Sequence, residues 1–246
     1  MSNKSLAAET LHNNIETAII EGSLRPGAKL PPERVLAAQY KISRAAVREA
    51  LQWLKARQWI VSKQGGGHYV SEHLQRSMAG PIERILEKHP EARLDLLEFR
   101  HSIEGECAYY AALRANDLDK DAIASAFNEL QRAYDANDID AQSKADARFH
   151  LAIAEASHNL IYLHLIQSLF ELLRSNVTTN ITDLYRYDVT REKILYQHQE
   201  ICDAILSSQP SLARDAAYRH IHYVEMVLSD LSRGEVREQR SQRRNQ

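Results

Sequence analysis

Apolar residues recur at helical spacing near the start of the chain, at Leu11, Ile15, Ala18 and Ile19, and the pattern stops at Gly22, ahead of the turn Arg25-Pro26-Gly27. A second helix is predicted from Pro32 and Glu33, where proline suits the first turn, to about Tyr40. Ser43 then caps a third. In that third helix Val47, Ala50, Leu51 and Leu54 form an apolar stripe, while Arg44, Arg48 and Lys55 form a basic one about a quarter turn away. Past Trp59 the pattern changes to that of strands. Ile60-Val61-Ser62-Lys63 goes out, Gln64-Gly65-Gly66-Gly67 turns, and His68-Tyr69-Val70 returns. Three helices followed by a hairpin are the element order of a winged helix-turn-helix.

Beyond Ser71 a linker is expected, then a short helix around Pro81 to Lys88, and then helix after helix to about Leu231 with no strand pattern. The tail from Ser232 to Gln246 is polar and lacks apolar periodicity, so it is predicted to fray or stay disordered. The expected fold is therefore mainly α. A winged helix-turn-helix occupies residues 1–73, a linker 74–80, an all-helical bundle 81–231 and a polar tail 232–246.

A chain of 246 residues with 44% hydrophobic content can bury a real core, and the length suits two modest domains. Cys107 and Cys202 each lie in an apolar stretch and offer neither a disulfide framework nor zinc-ribbon spacing, which favours a reducing compartment, the cytoplasm. There is no run of about 18 apolar residues to span a bilayer, and Asn, Glu and His residues near the start argue against a secretory signal. The net charge of -2 hides an asymmetry. Residues 1–73 carry ten Lys/Arg against six Asp/Glu, so the surplus of acidic groups belongs to the remainder. A basic module joined to an acidic one suggests that the first touches a polyanion.

An α-helix fits the DNA major groove, and side chains at its N-terminal end reach base edges or phosphates. Here that end carries Ser43, Arg44, Ala45 and Arg48. Arginine offers a rigid fork for the two acceptors of guanine, and a small residue at Ala45 permits close approach. Taken alone, a basic stripe is equally the solvated face of a surface helix. The whole unit is more specific: Leu30-Pro31-Pro32-Glu33-Arg34, then Ser43-Arg44-x-x-Val47-Arg48-Glu49-Ala50-Leu51, then the glycine wing, resembles the GntR family of repressors over residues 10 to 70. The resemblance implies DNA contacts at Arg34, Ser43, Arg44, Ala45, Arg48 and the wing glycines Gly66 and Gly67. It also implies a homodimer on palindromic double-stranded operator DNA. Glu33 and Glu49 are expected to position nearby arginines.

Four residues further on also stand out. Asp146 and His150 lie one turn apart along the edge of the stripe formed by Phe149, Ala152, Ile153 and Ala156. His198 sits among Ile194, Ile201, Cys202 and Ile205, and His220 among Ala213, Ala216, Ala217, Val224 and Val227. Inward histidines need partners, and this set can share a divalent metal, with zinc, nickel, manganese or iron all suited to imidazole plus carboxylate. For each histidine singly, a hydrogen-bonded core residue is the alternative; His158 and His222 project away from these stripes. Arg100 faces inward with Leu97, Ala108 and Ala111, one turn from Glu104, and either forms an internal ion pair with it or clamps a carboxylate ligand.

Residues 80 to 231 resemble the helical ligand-binding domain, called FCD, of the FadR branch of GntR regulators. That branch carries an Asp, a His four later and two further His, matched by Asp146, His150, His198 and His220. The resemblance implies a metal, zinc first, with positions open to a small carboxylate effector, in a domain that also dimerises. The stretches Ile20 to Gly27, Leu96 to His101, Tyr109 to Arg114 and the arginine-rich tail are similar to pyruvate-responsive repressors that govern pyruvate dehydrogenase complex genes. Ala145 to Asn159 is as similar to lactate-responsive regulators. Pyruvate is the first expected effector, with L-lactate or glycolate as the alternative, and the expected action is repression relieved by ligand. A metal-dependent enzyme would require a catalytic base, and no phosphate loop or nucleophile elbow is present, so no enzyme is expected. A purely structural ion remains a third reading.

Overall fold

The structure, a computed structural model, describes residues 3–63, 66–71, 82, 84–86, 88–89, 92–176 and 188–244. The expected linker at 74–80 lies outside them. The chain divides into two compact units, Met1–Met78 and Ala79–Gln246.

In the first unit α1 (Asn3–Ile20) buries Ala8, Leu11, Ile15 and Ile19. It ends where Gly22 adopts φ 80 and Leu24 N–H donates back to the carbonyl of Ala18. Helix α2 (Glu33–Tyr40) follows Pro32 and stops at Lys41, which is left-handed at φ 54. The Ser43 side chain accepts from Ala46 N–H at 3.2 Å and so starts α3 (Arg44–Ala56). The buried face of α3, formed by Ala46, Val47, Ala50, Leu51 and Leu54, packs against α1. Strands β1 (Ile60–Lys63) and β2 (Gly67–Val70) then pair antiparallel, Ile60 with Val70 and Lys63 with Gly67. The turn needs φ +95 at Gly67, a conformation that strains any residue with a Cβ. On the other edge of β2, Leu30 N–H donates to His68 O and Val70 N–H to Ala28 O, so Lys29 bridges to Tyr69. Helix-helix-helix-hairpin is a winged helix-turn-helix.

Every regular element described in the second unit is a helix. Residues 82, 84–86 and 88 are helical, within the predicted short helix. Then come α4 (Ala92–Arg114), α5 (Asp117–Asp135), α6 (Ile139–Ala156), α7 (Leu160–Asn176), α8 (Asp188–Leu206) and α9 (Pro210–Arg244). Helix α4 runs along α9, α5 along α6, and α8 along α9. Apolar residues from α4, α5, α6, α7, α8 and α9 share one core, with Phe149, Ile123, Leu130, Ile166, Ile194, Ile201 and Ile205 fully enclosed. Contrary to the expectation of a frayed tail, the α9 backbone is helical to Arg244. Residues 232 to 244 contain no proline and are rich in Arg, Glu and Gln, which propagate a helix without any apolar stripe.

At the start of α5 the Asn116 side chain accepts from Asp119 N–H at 3.0 Å, and Asp119 accepts from Asn116 N–H at 2.9 Å, a reciprocal cap. Asp119 also meets His158 at 2.8 Å. Asn116→Ala is expected to lower stability by about 1 kcal/mol, measured as a shift in the urea midpoint at unchanged slope.

Candidate metal centre and nucleic-acid interface

Six polar residues of the second unit converge because four helices each send one or two of these side chains into its core. Helix α4 brings Arg100 and Glu104, α6 brings Asp146 and His150, α8 brings His198, and α9 brings His220; all six are buried. His150, His198 and His220 each present a nitrogen, and these atoms lie within 4.8 Å of one another. His150 Nε2 and His198 Nε2 are 3.1 Å apart. Asp146 Oδ1 lies 3.1 Å from His198 Nε2 and 3.9 Å from His150 Nε2. The ring of His220 is 4.3 Å from that of His198.

Electrostatics sorts these groups into roles. Burial works to raise the Asp146 carboxyl, but the hydrogen bond from His198 and the charges of His150, His198 and Arg100 hold it well below the carboxylate range. Glu104, equally buried, is lowered to about 2 by Arg100 and His150. Its Oε1 pairs with Arg100 Nε at 2.6 Å and its Oε2 with His150 Nδ1 at 2.8 Å. His150 is raised, the two carboxylates outweighing burial. Burial pushes His198 down and His220 further down, the latter with the neighbouring His198 and His150 adding to it. Both shifts favour the neutral imidazole, the form that ligates a metal.

The donor set fits a divalent ion. Two of the rings keep a buried Nδ1 without a hydrogen-bond partner, in His198 and His220. Glu104 takes the Nδ1 side of His150 and leaves Nε2 turned to the other rings, the carboxylate-histidine arrangement found behind metal ligands. Three imidazoles with Asp146 alongside can hold a metal ion. Beside them a small, mostly apolar cavity is lined by Glu104, Cys107, His150, Ile153, Ile166 and Ile201 among others. The Cys107 thiol is pushed up by burial, with the Glu104 and Glu106 carboxylates adding to it. Arg100 sits over the ring of Phe170 at 5.7 Å, and His150 stacks on that same ring. His158 and His222 are exposed and apart from the cluster.

In the first unit Arg34, Ser43, Arg44, Ala45 and Arg48 are all exposed, along α2 and the first turns of α3. Arg48 Nε donates to Glu33 Oε2 at 2.9 Å, so α2 orients an arginine on α3. Gly67 is exposed and Gly66 half-buried in the wing, where a Cβ on Gly66 would approach Tyr69 Oη to 3.3 Å. Two further cations belong to this surface and escaped the sequence reading. Lys63 Nζ lies 4.6 Å and Lys29 Nζ 5.7 Å from the centre of the Tyr69 ring. Alternation in β1 places Lys63 outward, but nothing in local periodicity brings Lys29 to the same ring.

Residues 7–70 match the gntR family of bacterial regulatory proteins, and residues 95–223 match the FCD domain. The chain belongs to the GntR family. Among relatives of this GntR regulator, the "Putative L-lactate dehydrogenase operon regulatory protein" of Escherichia coli K12 is 32% identical, covering 95% of this chain and 90% of its own. The Glc operon transcriptional activator of the same organism is 32% identical over 91% and 89%. The HTH-type transcriptional regulator LutR of Bacillus subtilis is 34% identical over 86% and 96%. Among solved structures, Streptococcus agalactiae GntR superposes with a TM-score of 0.59 at 26% identity, over 89% of this chain and 99% of that one. The GntR protein is thus a DNA-binding transcriptional regulator with an FCD effector domain, not an enzyme. No helix among the described residues is long and apolar enough to cross a membrane.

Proposed function

We propose that this GntR regulator is a metabolite-responsive repressor whose effector is a small 2-hydroxy or 2-oxo monocarboxylate, with pyruvate, or alternatively L-lactate or glycolate, as the candidates. The observation that carries the reading is the buried cluster of His150, His198, His220 and Asp146 joined through Glu104 to Arg100. A divalent ion, zinc first, supplies there a Lewis-acid anchor for the oxygens of such an acid. Arg100 provides the guanidinium that orients the carboxylate, and the apolar wall of Ile153, Ile166 and Ile201 suits a methyl group. Local stretches similar to pyruvate-responsive repressors support pyruvate. The relative named for a lactate dehydrogenase operon supports L-lactate equally.

On the DNA side, Arg44, Arg48 and Ala45 meet the major groove, Ser43 and Arg34 the backbone, and Gly66 and Gly67 let the wing approach closely. In a homodimer the two α3 helices must sit about one DNA turn apart, roughly 34 Å, on a palindromic operator. An effector that favours one dimer arrangement by about 1 to 3 kcal/mol changes operator affinity by about 5 to 150 fold.

Fluorescence anisotropy on a palindromic fragment from upstream of the protein's own gene tests this, with pyruvate, L-lactate and glycolate added in turn. Pyruvate, or alternatively L-lactate or glycolate, is expected to weaken binding. Tightening by any of these acids overturns repression relieved by ligand, and no response to any of the three overturns the effector class. Arg100→Lys keeps a cation beside Glu104 but loses the planar fork, and is expected to weaken the effector at least about 10-fold with operator affinity unchanged.

A further inference from the structure

One close contact between helices of the second unit lies one residue from the polar cluster. A Cβ placed on Gly105 of α4 would stand 1.9 Å from Cε1, 2.4 Å from Cδ1 and 2.8 Å from Cζ of Tyr218 on α9. The ring fills the space that a side chain at residue 105 would need. It is also held from its other sides. His101, one turn earlier on α4, stacks on it at 4.3 Å with planes 16° apart, and Tyr218 Oη reaches Glu106 Oε1 at 3.4 Å. Helix α4 packs along α9, and both bring small residues into the core nearby, Ala108, Ala111 and Ala112 from α4 and Ala213, Ala216 and Ala217 from α9, all buried. Small side chains let helix axes approach, and a methyl added at buried Gly105 must displace either the half-buried Tyr218 ring or the helix that carries it.

Gly105 is next to Glu104, which holds His150, and Tyr218 is two residues from His220. The separation of α4 and α9 at this level therefore sets how far His220 stands from the rings of His150 and His198. We propose that the absence of a side chain at Gly105, which lets the Tyr218 ring lie against the α4 backbone, is what seats His220 in the metal cluster, making Gly105 a positioning residue for the effector domain. The proposal rests on the metal reading above. Gly105 donates nothing to the ion and acts through the placement of α9. Because ligand orientation is worth about 10 to 100 fold in metal affinity, a shift of α9 of the size a methyl forces is expected to register as a loss of that order.

The test is a zinc titration of the full-length chain against a chromophoric chelator, in wild type, Gly105→Ala, Tyr218→Ala and the double variant, with far-ultraviolet circular dichroism as the check of folding. Gly105→Ala is expected to lose at least about 10-fold in zinc affinity, while Tyr218→Ala stays within about 3-fold of wild type. The double variant, in which the new methyl enters the space left by the ring, is expected to return to within about 3-fold of Tyr218→Ala. Wild-type affinity in Gly105→Ala shows that the ring swings aside and overturns the proposal. A double variant as impaired as Gly105→Ala overturns it as well. If Gly105→Ala does not fold, the double variant decides: recovery of helicity and zinc binding supports the proposal, and failure of either refutes it. Wild type that binds no zinc rejects the metal reading itself and the proposal with it, a result distinct from zinc-binding wild type with an unaffected Gly105→Ala.

Discussion

In His220→Leu, the zinc-induced rise in melting temperature is expected to vanish while the metal-free protein melts at or above the wild-type temperature. His220 is buried, its Nδ1 has no hydrogen-bond partner, and burial together with two histidine neighbours holds it neutral. An unsatisfied polar atom in that position costs about 1 to 3 kcal/mol, which an apolar side chain of similar size removes. The cost is repaid only when an ion is bound. At zinc a hundredfold above its dissociation constant, linkage stabilises the native state by about 2.7 kcal/mol, an increase of about 5 to 10 °C for a unit of this size. Differential scanning calorimetry with zinc and with a chelator reads both quantities. A metal-free variant that melts well below wild type would show His220 to be an ordinary satisfied core residue. A zinc response that survives in the variant would place the ion elsewhere. Operator anisotropy on the same samples separates a sensing ion from one that only stiffens the domain, since the latter leaves the effector response of the metal-free wild type intact.

The inward direction of His198 and His220 was legible from periodicity because each falls inside an apolar stripe, where a polar ring has no reason to be unless something in the core engages it. The spacing of Asp146 and His150 was legible for the same reason, both being fixed by one helix. So were the α3 stripe, its Ser43 cap and the glycine turn, which are local devices. What periodicity could not supply is any distance between elements. It offered Glu104 only as the partner of Arg100, four residues away on the same helix; that Glu104 also holds His150 depends on how α4 lies against α6. Lys29 reaches Tyr69 because the segment at 28–30 pairs with the free edge of β2, a contact with no signature in composition. The helical course of α9 past Leu231 was missed for a different reason. Apolar periodicity reports burial, and a helix can continue on propensity alone.

Arg44→Ala is expected to lower operator affinity at least about 10-fold and to relax discrimination at one base position, since a bidentate arginine contact is worth about 1 to 3 kcal/mol of base selectivity. Lys29→Ala and Lys63→Ala should behave differently. Both ammonium groups sit against the Tyr69 ring, where the aromatic face steadies a flexible cation without neutralising it, as expected of a contact to phosphate. Each substitution is expected to weaken binding uniformly across operator variants and to reduce the slope of log affinity against log salt by about 1. Glu33→Gln falls between these classes. Glu33 carries no base-reading chemistry of its own, but it fixes the guanidinium of Arg48, whose side chain is otherwise 63% exposed. Its loss is expected to cost part of the Arg48→Ala effect and nothing further when Arg48 is already alanine, so a double-mutant cycle on operator binding measures the coupling. Additive losses would make Glu33 an independent contributor and release Arg48 from the role assigned to it. Equal losses in Arg44→Ala on every base variant would likewise demote Arg44 from base reader to phosphate contact.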